Sequence, residues 1–409
     1  MDEKNQGRRA VIVSALVTAL CLLGDSMLYV VLPIYWREAG LTSLWEVGIL
    51  LSVNRLVRIP LGPLIGRWLQ QIEGRTGLLI AVALACLTTI AYGFQGFWLW
   101  LAARCLWGIA WTILRIGSLA LVVSASSDLN RGELMGLYNG LYRLGSLGGM
   151  LAGALLVTMY GLQTASLLFA VCALPALALI FAYIPKSFIH TKTDGDSGWE
   201  HRISVWKKGS VRLTLLSGLL LALSYQGVFA STISRLFEER QPLLFIGGLV
   251  IGSAVMASVI QGIRWGWEPW AAPQFGRWAD RFGKKPLFIG TLVAASCLFA
   301  SLHAPVSFAI WLCILLVVQL TATILTTLMD TWAADEAVRR SNSTELMALY
   351  TVTADIGAAL GPLTAFWLDE HFGLPVVYGG LACMLLLLAL AWVRVSEAKP
   401  KPVSPDNTL

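Results

Sequence analysis

The sequence predicts an all-α membrane protein in which twelve transmembrane helices form two pseudo-symmetric six-helix bundles. Three observations lead to this prediction. Hydrophobic residues fill 57% of the 409 positions and charged residues only 13%, which is more apolar surface than a soluble chain of this length can bury. Long apolar runs recur along the whole chain, and the second half repeats sequence features of the first.

The apolar runs are long enough to cross about 30 Å of hydrocarbon as helices, at about 1.5 Å per residue. The strands of a membrane β-barrel would instead alternate in polarity over about ten residues. The predicted spans lie near 10–36, 45–69, 76–96, 98–125, 133–160, 163–185, 211–235, 243–272, 286–304, 307–333, 345–368 and 373–395. The first run is too long for the apolar core of a signal peptide, so we expect it to remain as a span.

Polar segments and charge predict the domain organisation and the orientation. We expect one bundle over 1–185, a cytoplasmic linker over 186–210, a second bundle over 211–396 and a cytoplasmic tail over 397–409. Basic residues are concentrated in alternate loops, and such a bias marks the cytoplasmic side of a membrane protein. The sequence therefore predicts a multi-pass protein of the inner cell membrane with both termini in the cytoplasm.

An internal repeat relates the two halves. Residues 133–138 read Glu-Leu-Met-Gly-Leu-Tyr, and residues 345–350 read Glu-Leu-Met-Ala-Leu-Tyr. The same alignment matches Arg143 with Asp355, so the repeat preserves position while it changes charge. Duplicated bundles are typical of transporters that bind their substrate near the bilayer midplane, between the two halves.

Ionisable residues inside the predicted spans are the best indicators of mechanism, because each costs several kcal/mol unless it is paired or hydrated. The charges in question are Arg55, Arg58, Arg104, Arg115, Arg143 and Arg264 against Asp25, Glu268, Asp330 and Asp355. Arginine binds carboxylates and phosphates through two parallel hydrogen bonds, so the excess predicts an anionic or zwitterionic substrate. Alternatively, several of these arginines are structural.

A loop motif indicates the family. Residues 276–285 read Gly-Arg-Trp-Ala-Asp-Arg-Phe-Gly-Lys-Lys, which resembles the motif between the eighth and ninth helices of the major facilitator superfamily. The resemblance covers nearly the whole chain and implies transport by alternating access, with Gly276, Asp280 and Arg281 at a cytoplasmic gate. The first copy of the motif departs from the pattern, because Gln70 stands where an aspartate is expected.

Further motifs are similar to those of this family and, in one case, of its exporters. Arg104 and Gly108 match an R-x-x-x-G pattern of the fourth helix, which implies a role for Arg104 in gating. The G-x-x-x-G-P pattern that exporters carry in the fifth helix lacks its proline at 145–150 and is complete at 357–362 in the eleventh. The segment 24–36 is loosely similar to exporters of carboxylate-rich, opine-type metallophores.

The fold of this family also implies which charges meet. Helix two faces helix eleven, and helix five faces helix eight, with their charges at comparable depth. We therefore predict one ion pair between Asp355 and Arg58 (or Arg55), and another between Arg143 and Glu268. Such pairs would close the cytoplasmic side. The alternative is pairing within each half, with no role in gating.

Together these observations predict a secondary active transporter that exports a small anionic or zwitterionic molecule in a proton-coupled manner. Asp25 is the first candidate for proton coupling and Asp355 the second. The residues predicted to bind substrate are Asp25, Tyr29, Arg55, Arg58, Arg115, Arg143, Tyr225, Gln226, Trp111 and Arg264. The residues predicted to gate are Arg58, Asp355, Arg143, Glu268, Gly276, Asp280, Arg281 and Arg104.

Other functions remain open at this point. They are an organic-anion importer, a multidrug exporter of cationic or amphipathic compounds, a lipid flippase and a non-transporting membrane sensor. An enzyme is not expected, because no phosphate-binding loop or nucleophile–base constellation is present. The cysteines lie in apolar runs without CxxC spacing, so no metal site is expected, and neither is a cofactor or a nucleic acid partner. The expected partners of a monomer are its substrate, protons and the lipid bilayer.

Overall fold

The computed structural model describes residues 2–126, 131–186, 209–241, 243–246, 249–338 and 343–394. The helices of the first half are α1 (Asp2–Tyr35), α2 (Leu44–Leu69), α3 (Gly74–Ala91), α4 (Phe97–Ala125), α5 (Arg131–Ala173) and α6 (Pro175–Tyr183). Those of the second half are α7 (Gly209–Leu221), a π-helical segment (Ala222–Phe229), α8 (Ala230–Arg240), α9 (Ser253–Phe282), α10 (Lys284–Ser301), α11 (Phe308–Val338), α12 (Ser343–Phe372) and α13 (Leu374–Val393).

These helices form twelve transmembrane spans. Gly161 has a φ of 79° inside α5, and glycine adopts this conformation without steric cost, so the chain breaks there into its fifth and sixth spans. The segments α7, π and α8 run together as the seventh. Within the described residues, eight helical stretches are apolar enough to cross a membrane, and one of them, Glu133–Tyr183, holds both the fifth and the sixth spans. The more polar α9, α10 and α12 complete the twelve.

The predicted start of the eighth span was wrong. Residues 243–246 and 249–252 form two paired antiparallel strands, β1 (Leu243–Ile246) and β2 (Leu249–Gly252), and α9 begins only at Ser253. The sequence there has two apolar runs separated by two glycines, which favours a tight hairpin turn. Apolar content alone does not separate a short strand from the first turns of a helix.

The predicted linker at 186–210 lies outside the described residues except at its two ends, and so does the predicted tail at 397–409. The division of the chain into bundles at 1–185 and 211–396 therefore stays a prediction.

Glycines bring the helices of each half into close contact. A Cβ atom added at Gly149 of α5 would lie 2.5 Å from the Leu23 carbonyl oxygen of α1. In the second half, a Cβ atom added at Gly361 of α12 would lie 2.4 Å from the Cα atom of Gly227. These are the small-residue positions that the repeat aligns, and they allow backbones to approach within a membrane.

The two halves meet along the helix pairs α2–α12, α5–α9 and α1–α8. We call the end of the bundle where α1 begins and α13 ends the terminal side, and the opposite end the far side. A single apolar core joins both halves, and its residues from the first half, such as Leu50 and Val157, belong to the far side. Residues nearer the terminal side, such as Val13 and Ile65, form a separate core within the first half.

The halves are therefore closed against each other at the far side, with a cavity that opens toward the terminal side. A Cβ atom added at Gly62 of α2 or at Gly140 of α5 would meet no atom within 4 Å.

Candidate functional site

Two ion pairs cross between the halves at mid-depth. Arg55 Nη1 of α2 lies 3.9 Å from Asp355 Oδ1 of α12. Arg143 Nη1 of α5 lies 3.7 Å from Glu268 Oε1 of α9. Of the two arginines that the sequence offered for Asp355, the structure pairs Arg55 and leaves Arg58 further away.

The state in which these pairs form differs from the prediction. We expected them to close the terminal side, yet here they coexist with a closed far side and border the cavity. The side chains of Asp355 and Arg143 are 43% and 56% exposed, so neither is sealed within the interface. Their role in gating stays a prediction.

A third ion pair is buried inside the first half. Arg104 of α4 pairs with Asp25 of α1, and its Nε donates a hydrogen bond to the Leu50 carbonyl oxygen of α2 at 2.8 Å. The Arg104 side chain is fully buried, and its guanidinium carbon lies 5.9 Å from the centre of the Tyr29 ring. Arg104 thus connects α1, α2 and α4, which is the structural role that the sequence left open for several of the arginines.

Two further arginines border the cavity without an ion pair. Within the described residues, neither Arg58 of α2 nor Arg264 of α9 has a carboxylate within 4.0 Å. The Nε atom of each is shielded from solvent and has no hydrogen-bond partner. The carboxylate that acts most strongly on Arg58 is that of Asp355, and for Arg264 it is that of Glu268.

An aromatic cluster surrounds Arg115. Its Nη1 donates a hydrogen bond to Asn139 Oδ1 at 3.0 Å, and its guanidinium carbon lies 5.6 Å and 5.3 Å from the ring centres of Tyr138 and Tyr142. Trp111 packs edge-on against Tyr142 at 5.9 Å. Trp111 and Arg115, each predicted to contact substrate, thus both pack against Tyr142. Sequence reasoning missed Asn139, Tyr138 and Tyr142, and the substrate role of the cluster stays a prediction.

Tyr225 and Gln226 lie in the π-helical segment of the seventh span. The Tyr225 hydroxyl is fully buried and lies 2.9 Å from Thr321 Oγ1, whereas Gln226 is exposed. Neighbouring side chains of one π-helical turn therefore lie in different environments, one buried and one exposed. Turns of this kind occur often at functional sites. Of this predicted pair, only Gln226 has an exposed side chain, and a substrate contact stays a prediction for both.

Asp330 of α11 is one of the charges in the predicted spans, and no role was predicted for it from the sequence. It accepts a hydrogen bond from the Tyr350 hydroxyl of α12 at 2.8 Å and is accessible to solvent. In the described part of the chain it has no cation within 4.0 Å. Nor do the described residues contain any group of three or more His, Cys, Asp and Glu side chains placed to hold a metal ion.

The loop motif of the second half lies at the terminal side. A Cβ atom added at Gly276 would meet no atom within 4 Å, and Arg281 lies over the ring of the next residue at 5.4 Å. The side chain of Asp280 lies outside the described residues. Lys284 pairs with Asp335 and so joins α10 to α11, a contact that sequence reasoning missed.

At the far side, a carboxylate of the second half caps a helix of the first. Glu370 Oε2 of α12 accepts a hydrogen bond from the backbone amide of Trp45, in the first turn of α2, at 2.8 Å. Unpaired amides and the helix dipole both favour a negative charge at this position. We call this contact the Glu370 cap. Sequence reasoning missed it, because its partner is a main-chain group that any residue except proline supplies.

Comparisons with known proteins agree with this architecture. A family model described as Major Facilitator Superfamily matches residues 14–267 and 270–408. The uncharacterized MFS-type transporter YE1530 of Yersinia enterocolitica is 26% identical over 274 residues, which cover 65% of each chain. Multidrug resistance protein MdtG of Proteus mirabilis is 24% identical over 280 residues, 66% of each chain. The chain thus spans about two thirds of the length of the curated relatives it matches.

Solved structures share the fold over almost the whole chain. The nucleoside transporter NupG superposes with a TM-score of 0.75 at 13% identity, covering 96% of this chain and 98% of that one. The peptide transporter POT in complex with sulfate superposes with a TM-score of 0.72 at 14% identity, covering 95% and 94%. At this level of identity the likeness shows the fold alone.

Proposed function

Because the chain belongs to the major facilitator superfamily and is a membrane transporter rather than an enzyme, we propose that it exports a small anionic or zwitterionic organic molecule by proton-coupled alternating access. One observation supports this most. Once Asp25 and Arg104 neutralise each other, the membrane interior around the cavity holds Arg55, Arg58, Arg115, Arg143 and Arg264 against Glu268, Asp330 and Asp355. A cavity with this surplus attracts negative groups and repels cations.

The orientation follows from the loop charges. We place the terminal side in the cytoplasm of a cell whose inner membrane holds the chain, with both termini cytoplasmic. The cavity then opens to the cytoplasm, and this is the inward-facing state, ready to take up an exported molecule. The chain acts as a monomer, with substrate, protons and lipid as its partners.

Exchange with protons requires that the proton and the substrate compete. A zwitterion meets this condition, because its ammonium group binds the same carboxylate that a proton would neutralise. Asp355 is accessible to both, while Asp25 must first break its bond to Arg104. The carboxylate of the same zwitterion binds an arginine of the cavity.

A purely anionic substrate would bind together with the proton instead of competing with it. Such a substrate favours a second candidate function. A proton on Asp355 releases Arg55 from its ion pair, so that proton binding promotes anion binding. Such coupling carries both species in one direction, which is uptake of an organic anion down the proton gradient. The Arg55–Asp355 pair is the specific observation that favours this alternative.

A comparison of metabolites tests the proposal. Cells with and without the protein are compared by mass spectrometry of medium and extract. We expect compounds with at least one acidic group to accumulate in the medium of cells that carry the protein. Accumulation inside the cells would instead support uptake. Export of cations without an acidic group would overturn the proposal in favour of multidrug export, the activity that the name of the MdtG relative suggests.

Proteoliposomes then test the coupling. Under an imposed pH gradient, the compound found above should move opposite to the protons, and Asp355→Asn should remove the dependence on the gradient. Asp25→Asn is the parallel test for the first candidate. If transport by Asp25→Asn stays fully coupled to pH, Asp25 is a structural partner of Arg104 only.

A further inference from the structure

Arg58 and Arg264 occupy matched situations on the two sides of the cavity. Each lies beside an ion pair that joins the halves, and in each case the nearby carboxylate is held by a different arginine. On the α2–α12 side, Arg55 and Arg58 share one carboxylate, that of Asp355. On the α5–α9 side, Arg143 and Arg264 share that of Glu268.

Asp330 also acts on Arg143 and Glu268, yet Arg58 and Arg264 are each a positive charge without an ion pair of its own among the described residues. The cost of such a charge is high where water is scarce, and it falls when an anion supplies the missing hydrogen bonds. The Nε atoms of Arg58 and Arg264 are shielded from solvent, and no acceptor among the described residues reaches them. Arg115 differs from both, because Asn139 and two tyrosine rings surround its guanidinium.

We infer that the substrate carries two separate acidic groups, one bound by Arg58 of α2 and the other by Arg264 of α9. This inference rests on the proposed function and sharpens it, since it names the number and the placement of the anionic groups. The ammonium group of an exported zwitterion, which competes with the proton, binds Asp355 as proposed above. A guanidinium holds a carboxylate through two parallel hydrogen bonds. A dianion neutralises both free charges, whereas a monoanion leaves one of them unpaired.

Binding of this kind also connects the two halves. Arg58 belongs to the first half and Arg264 to the second, so a bound dianion bridges the cavity between α2 and α9. A bridging ligand stabilises the states in which the halves approach each other around it, because it binds those states more tightly.

The test uses the purified full-length chain in nanodiscs and a series of straight-chain dicarboxylates from malonate to suberate. Monocarboxylates with the same numbers of carbon atoms serve as the matched ligands, and thermal stabilisation or calorimetry measures binding. We expect one dicarboxylate length to bind at least about tenfold more tightly than its matched monocarboxylate, because the second group gains a charge-assisted hydrogen bond.

The variants Arg58→Gln and Arg264→Gln should each reduce that ratio to about one, because either change leaves one anionic site. Arg58→Lys keeps the charge and should retain part of the preference, which separates loss of binding from loss of folding. Arg37→Gln is the control, because Arg37 is exposed at the far side over the ring of Trp36. It should leave the ratio unchanged.

The possible results distinguish failure of the two-group inference from failure of the proposed function. If matched mono- and dicarboxylates bind equally to the wild type and Arg58→Gln weakens both, there is a single anionic site. The two-group inference is then overturned, while anion transport stands. If no carboxylate binds better to the wild type than to the double variant of Arg58 and Arg264, both the inference and the anionic part of the proposed function fail.

Discussion

The two helix pairs that carry the inter-half ion pairs differ in how closely they pack. In the α2–α12 interface, a Cβ atom added at Gly48 would lie 2.8 Å from the Pro362 carbonyl oxygen, so backbone meets backbone, and the Glu370 cap lies a few turns beyond the Arg55–Asp355 pair. In the α5–α9 interface, the close approach at Gly262 is to the end of a flexible leucine side chain, at 2.8 Å.

The arginines of the two ion pairs also differ between the interfaces, in the exposed fraction of their side chains. The Arg55 side chain is 18% exposed, whereas that of Arg143 is 56% exposed. Water screens exposed pairs and reduces their contribution. From this comparison we predict that the α2–α12 interface determines whether the far side is closed, and that the α5–α9 interface adapts to it.

The largest expected effect comes from Gly48→Ala. The new methyl group overlaps the Pro362 carbonyl, and overpacking of this kind costs ~1–3 kcal/mol. This cost reduces the population with a closed far side by about fivefold to more than about a hundredfold. The measurement is the distance distribution between spin labels at Glu38→Cys and Phe372→Cys in a background without native cysteines. Gly62→Ala on the same helix is the control, since its methyl group meets no atom within 4 Å. Equal effects of the two variants would remove the distinction between the interfaces.

Removal of the Glu370 cap should have a smaller effect on the same distances. Loss of a capping side chain costs ~1 kcal/mol. Glu370→Ala should therefore raise the ratio of molecules with an open far side to those with a closed one by about fivefold. Glu370→Gln retains a hydrogen-bond acceptor but no charge and should fall between Ala and the wild type. A wild-type distance distribution in Glu370→Ala would show that the cap does not contribute to closure.

Charge exchange at the α2–α12 interface comes next. A double-mutant cycle with Arg55→Asp and Asp355→Arg should give a coupling of ~0.7 kcal/mol, a factor of about three in transport rate, within the range of partly exposed pairs. The double variant should recover part of the activity lost in each single variant. Single variants whose effects simply add would mean that the pair does not act across the interface.

The smallest effect should come from the corresponding cycle at Arg143 and Glu268. We expect a coupling below ~0.4 kcal/mol, less than about twofold in rate, because the arginine is exposed and salt screens it. Transport assays at low and high ionic strength measure this directly. A coupling at Arg143–Glu268 that exceeds the one at Arg55–Asp355 would invert the ranking of the two interfaces.

Much of the fold was predictable because apolar run length and the internal repeat are strong signals. The twelve spans and the family follow from them, and the repeat placed Asp355 and Glu268 at a depth where arginines of the other half reach them. The choice of Arg55 over Arg58 was not predictable, since residues three apart lie on the same face of a helix. Packing between helices decides which of them reaches Asp355.

Other features depended on contacts that no periodicity encodes. The buried partner of Asp25 became clear only when α1, α2 and α4 were placed together around Arg104. The strands at 243–246 and 249–252 have the same apolar content as a helix, so composition did not reveal them. Asp330 drew little attention in the sequence, because its partner Tyr350 lies on a different helix.

The Glu370 cap has a consequence for how such transporters change during evolution. Its carboxylate binds a main-chain amide, so the first turn of α2 is free to exchange its side chains without weakening the contact. Methods that infer proximity from correlated substitutions require two side chains that depend on each other, and here one of the partners never varies. A contact of this kind will be absent from covariation maps, and in other chains of this architecture we expect it to be found only by examining helix ends in three dimensions.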